Sequence, residues 1–152
     1  MFAGDDNLNL KGKMKRVATV AAIAILFTAS AHAADAPVTA LIATTNTTIT
    51  GQTITVPANP EVRVNTVTFA PGARLPVHKH LYPHYVYVLE GTLSVTNVET
   101  GKSFDEKQGS FFAEMIDTWH FGQNNTAAPL KLLVIDQVPP GTKNNTIVRD
   151  VR

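Results

Sequence analysis

The 152-residue sequence contains no cysteine. Disulfides, thiolate catalysis and cysteine-held zinc are therefore excluded. Charge is scarce and balanced: 16% of residues are charged and the formal net charge is +1. That balance gives no reason to expect nucleic acid or a strongly acidic partner. There is one tryptophan and only five histidines. No stretch combines a helical period with caps at both ends, and no internal repeat, low-complexity tract or second domain is visible. What is plentiful is apolar residue, 44% of the chain, enough for the core of one ordinary domain.

The N-terminal third begins with a segment that reads as a targeting signal. "MKRVATVAAIAILFTASAHA" opens at Met14 with the basic pair Lys15 and Arg16. An apolar run, Val17 to Ala29, follows, and Ala31-His32-Ala33 has the small-x-small pattern of a cleavage site. The run is short of the about 20 residues of a membrane-spanning helix. We expect residues 1–33 to be an N-terminal extension and signal peptide, export to the periplasm or the exterior, and no stable membrane anchor after cleavage. The remaining chain, residues 34–152, is expected to be a single domain. It keeps nine basic and ten acidic residues and four histidines: His78, His80, His84 and His120.

Residues 34–152 read as strands almost throughout. "PVTALIA" and "TTITGQTITVP" are rich in Thr, Ile and Val. "EVRVNTVTFAPG" alternates and stops at Pro71-Gly72. "HYVYVLEGTLSVTNVETGKSF" reads as two strands about a tight Glu90-Gly91 turn, with a second turn near Gly101. "GSFFAEM" is short and apolar, and "LKLLVIDQV" is a continuous apolar run suited to a strand covered on both faces. The tail after Pro139 is polar, an edge strand or a loose end. Many short strands between Gly and Pro turns predict an all-β sandwich or barrel.

Three of the four histidines fall within "PVHKHLYPHYVYVLEG". Residues two apart on a strand share a face, so His78 and His80 project together. Period two then places His84, Val86 and Val88 on one face and Tyr85, Tyr87 and Leu89 on the other. A buried imidazole is costly unless both ring nitrogens are partnered. A transition-metal ion partners several at once. A lone H-x-H is more often a solvated loop, but here a third histidine is close by.

These residues resemble a small single-domain cupin. Gly72, five residues, His78-Lys79-His80, three residues, His84, six residues and Gly91 follow the spacing of the first cupin motif; Gly109, His120 and Asn124 follow that of the second. The resemblance runs from Val62 to Gln137. It implies an antiparallel double-stranded β-helix, or jelly roll, with a metal site of His78, His80, His84 and His120. It also implies one divalent transition metal per chain (Fe, Mn, Ni, Zn or Cu) and a homodimer. Two departures stand out. His84 occupies the position where the family usually has glutamate, and Met115-Ile116-Asp117 replaces a P-x-G turn. Aspartate tolerates the left-handed conformation that glycine would supply. Four neutral imidazoles would leave a divalent ion more positive and more attractive to an anionic small-molecule ligand than a set with a carboxylate.

Around this site, Glu114 and Tyr82 are candidate catalytic groups, and Arg74, Trp119 and Phe112 candidate substrate contacts. Each has a plainer alternative: a solvated strand end for Glu114, a solvated arginine, packing for the aromatics. Asn124 suits a structural hydrogen bond. Two classes of function remain open. One is a metalloenzyme acting on a small molecule, by dioxygenase-like or metal-assisted isomerase or lyase chemistry. The other is a non-enzymatic metal or ligand-binding or sensing module. Glu114 discriminates: pointing into the pocket it favours an enzyme, facing solvent it does not.

Overall fold

The computed structural model describes residues 40–150. The expected signal peptide lies outside the described residues. Nine strands form in chain order: β1 (Glu61–Phe69), β2 (His78–His80), β3 (His84–Glu90), β4 (Thr92–Asn97), β5 (Ser103–Lys107), β6 (Phe111–Ala113), β7 (His120–Gln123), β8 (Leu130–Val138) and β9 (Thr146–Val148). No helix forms among the described residues. The strands make two antiparallel sheets, ordered β1-β8-β3-β6 and β5-β4-β7-β2-β9. The all-β expectation holds.

Strand periodicity builds the core. Val86 and Val88 of β3, Leu93 and Val95 of β4, and Leu130 and Leu132 of β8 are buried in one apolar cluster with Phe69, Phe112 and Met115. Each such side chain contributes about 1.5–3 kcal/mol through removal of its surface from water. On β8, the even-numbered positions Leu130 to Val138 are buried while those between are partly or fully exposed. The continuous apolar run therefore has one deeply buried face and one half-covered face.

The Glu90-Gly91 turn does not close a hairpin. β3 pairs with β6 and β8, whereas β4 pairs with β5 and β7, so the turn carries the chain from one sheet to the other. The backbone at Gly91 has φ +83°, and a Cβ there would meet the Pro129 carbonyl oxygen at 2.8 Å. Only glycine fits both constraints. The second turn, around Gly101, does join the paired strands β4 and β5.

The Thr-rich stretch before β1 departs from its expected strands. Residues 40–60 contribute only an isolated bridge, Thr47 to Thr53. Thr48 Oγ1 accepts from the Gln52 backbone N–H and bonds the Gln52 side chain. Short hydroxyl side chains here satisfy neighbouring groups that a sheet ladder would otherwise take. The polar tail does form an edge strand, β9, along β2.

Candidate metal centre

The two sheets bring all four histidines to one end of the interior. β2 carries His78 and His80 on its buried face. β7 begins with His120, in register with His78. β3 begins with His84, whose carbonyl accepts from the Glu114 N–H at the end of β6 (2.9 Å). Between β6 and β7, Asp117 adopts φ 50° and donates its N–H to the His80 carbonyl. The left-handed turn of the second motif thus survives with aspartate in place of glycine. Asn124 has the structural role expected of it. It is fully buried, its Nδ2 donates to the Ala70 and Ala128 carbonyls, and its Oδ1 accepts from Thr126.

Glu114 is buried at the centre of the constellation. Its Oε2 lies 2.9 Å from His80 Nε2, 3.0 Å from His120 Nε2 and 3.9 Å from His84 Nε2. One donor atom from each of His78, His80, Glu114 and His120 lies within 4.8 Å of the others. Two neighbouring ligands about 2.1 Å from one ion stand about 3.0 Å apart at right angles and about 3.4 Å apart in a tetrahedral site. The Glu114 contacts to His80 and His120 are hydrogen bonds, at a separation that such ligand pairs also have. His84 stands beside this group, its ring stacked on that of His80 with centroids 3.7 Å apart. Where the sequence pattern puts four imidazoles, the most compact set holds three and the Glu114 carboxylate.

Hydrogen bonds on the far side of each imidazole fix the rings. Nδ1 of His78 donates to the Pro76 carbonyl (2.8 Å) and that of His120 to the Thr118 carbonyl (2.7 Å). Nδ1 of His84 donates to Asp136 Oδ1 (2.8 Å). Nδ1 of His80 shares a hydrogen bond with Thr146 Oγ1 (3.3 Å), and a hydroxyl suits either tautomer. Every imidazole therefore has its Nδ1 engaged on the outside. Metal-ligating histidines are held in this way.

Electrostatics follow from burial and from these pairs. Burial drives His80 down to about 4, helped by the charge of His84 and opposed by Glu114. Burial also lowers His78. For His120 burial acts downward too, but the hydrogen bond and charge of Glu114 win and raise it. Burial alone would raise the Glu114 carboxyl; hydrogen bonds from His120 and His80 and the charge of His84 hold it well below the usual range. Asp136 is lowered in the same manner, burial being outweighed by its bond to His84. The site is thus a buried carboxylate surrounded by imidazoles. Such a mixed nitrogen and oxygen donor set fits a divalent transition metal better than Mg or Ca, which take oxygen.

A cavity of about 280 Å³ opens onto this cluster, lined by His78, His80, His84 and Glu114 together with residues of both sheets. The other candidate residues lie elsewhere. The Arg74 guanidinium stacks over the Phe121 ring at 3.5 Å. Trp119 lies within reach of the cations Lys79 (5.0 Å) and Arg149 (5.6 Å). Phe112 is packed in the core. Tyr82 lines a separate surface groove with Gln52, Pro83 and Ile116. None of these four lines the cavity beside the histidines. Asp136 and Asn145 were not singled out in the sequence. Their signal was an acidic residue inside an apolar strand and an asparagine in a polar tail, neither of which names a partner.

Comparison with known proteins agrees with this architecture. A cupin domain model matches residues 65–136. No curated protein matches the chain. Among solved structures, a cupin-superfamily sugar phosphate isomerase from Silicibacter pomeroyi DSS-3 is 29% identical. The match covers 52% of each chain with a TM-score of 0.45, so this chain spans about half the length of that protein. The polyketide cyclase RemF from Streptomyces resistomycificus is 18% identical over 62% of this chain and 64% of its own, with a TM-score of 0.51, a likeness of fold. An oxalate oxidase is 24% identical over 57% of this chain and 45% of its own, with a TM-score of 0.46. The chain thus folds as an all-β double-sheet jelly roll, and its residues 65–136 match the cupin domain model.

Proposed function

We propose that this protein is a metal-dependent enzyme acting on a small molecule, its divalent transition metal held by His78, His80, His120 and Glu114. The observation that carries the reading is the outward anchoring of every imidazole Nδ1, which leaves each Nε2 to face the cluster. Solvated histidines have no need of that arrangement, and four imidazoles converging on one buried carboxylate go beyond what packing asks. A bound ion supplies a Lewis acid that polarises a substrate oxygen. The chain's own residues do the rest. Glu114 neutralises one charge of the site. Asp136 accepts from Nδ1 of His84 and so turns the ring's Nε2 toward Glu114 and the cavity. A positioned nitrogen of this kind takes or returns a proton, which favours isomerase or lyase chemistry over a dioxygenase reaction. The placement of Glu114 in the cavity wall also favours an enzyme over a storage or sensing module. Export through residues 14–33 belongs to the same proposal.

The test is elemental analysis of residues 34–152, purified without chelator and without a histidine tag. About one transition-metal ion per chain is expected, and the ion found is the one to use in substrate screens. A chain that stays below about a tenth of an ion after anaerobic repletion with Fe, Mn, Ni, Zn and Cu would falsify the metal reading.

A further inference from the structure

The walls of the cavity say which class of molecule it takes. Its polar lining is confined to His78, His80, His84, Glu114 and Thr146. Apart from Gly122, the remaining lining residues are apolar side chains from β1, β3, β4, β8, β9 and the loop before β2, among them Phe69, Leu75, Val86, Leu132, Val134 and Val148. Among the described residues no lysine or arginine lines it, Arg74 being engaged on Phe121. A phosphate group or a polyol would bury its charge or its hydroxyls against carbon, at a cost no partner offsets. Leu75 and Val148 are both exposed and both line the cavity, so it reaches solvent beside two apolar side chains.

We infer that the substrate is a compact, largely apolar molecule with a single metal-chelating oxygen head, such as a 2-oxo acid or an adjacent oxygen pair, and is not a sugar acid or a sugar phosphate. The inference rests on the metal reading for its head and on the wall chemistry for its body. The head meets the histidine and glutamate end. One negative charge there is matched by the +1 left when a divalent ion is bound with one carboxylate. The body lies along the valine and leucine walls. A dry cavity of about 150 Å³ holds benzene, so 280 Å³ suits a body and head of roughly ten heavy atoms in all.

Two carboxylates of similar size, one with an apolar body and one polyhydroxylated, test this: benzoylformate and 2-oxogluconate, titrated calorimetrically into the full chain. Metal uptake is measured separately by elemental analysis. With cobalt(II) bound, benzoylformate is expected to bind at least tenfold more tightly than 2-oxogluconate. Val148→Asp, at an exposed strand position, is expected to weaken benzoylformate at least fivefold and leave cobalt uptake unchanged. Equal binding of the two probes, or tighter 2-oxogluconate, by a chain that takes up cobalt overturns the substrate class while leaving the metal reading intact. If cobalt is not taken up, the metal reading fails by itself. The wall chemistry is then judged on the metal-free chain, where absence of any preference for benzoylformate overturns it.

Discussion

His84 donates its Nδ1–H to Asp136 Oδ1 across 2.8 Å, and the same carboxylate accepts from Asn145 Nδ2 at 2.6 Å. A residue at the start of β3 is thus oriented from its register partner near the end of β8, the neighbouring strand in the sheet. Asp136→Asn should release His84 to a mixture of tautomers. Nitrogen-15 NMR of the histidine rings is expected to show loss of the single Nδ1–H form at His84, while metal content stays near one ion per chain. An unchanged His84 tautomer would mean that other contacts orient the ring.

Removal of single ligands separates the two possible sets. Glu114→Ala and His120→Ala are each expected to weaken zinc binding by roughly a thousandfold or more, whereas His84→Ala should cost about 10–100-fold, the range of an outer partner. Competition with a chromophoric chelator reads all three. The opposite order, with Glu114→Ala nearly silent and His84→Ala severe, would show that four imidazoles hold the ion.

Metal uptake should release protons. Glu114 raises His120 above its ordinary value, so the imidazolium fraction of the metal-free site grows as pH falls. An ion must displace that proton. Zinc binding measured in buffers of different ionisation enthalpy should therefore release more protons at pH 6 than at pH 8, with affinity falling in the same direction. Glu114→Gln removes the stabilising charge and should shrink the difference. Identical proton release at the two pH values would contradict the His120–Glu114 pairing.

The crossing between sheets gives a stability prediction. Gly91→Ala places a Cβ 2.8 Å from a backbone oxygen at φ +83°. Neither the turn nor the Pro129 carbonyl has a flexible way to yield. A loss of roughly 1–3 kcal/mol is expected, visible as a lower thermal midpoint. A change under about 0.5 kcal/mol would mean the turn relaxes without cost.

Local features were legible in the sequence. Period two placed His78 and His80 on one face, and the strand patterns of β1, β3, β6 and β8 were readable from their apolar residues. The tolerance of Asp117 for a left-handed turn was also readable. Features that depend on register were not. Glu114 looked like an acidic residue at a strand end; it becomes a central group only because β6 lies against β3 with its N–H bonded to the His84 carbonyl. The Glu90-Gly91 turn has the composition of a hairpin, and nothing local says that its two strands join different sheets. The threonines of residues 44–55 have strand propensity, but their hydroxyls serve neighbouring groups instead of a ladder partner.

Asn145, Thr146 and Val148 lie beyond the segment, residues 65–136, that matches the cupin domain. Yet Asn145 holds Asp136, Thr146 touches His80, and Val148 walls the cavity. The working chamber is therefore larger than the region of recognisable kinship. A change in this short terminal strand would reshape the chamber's mouth without touching a ligand residue.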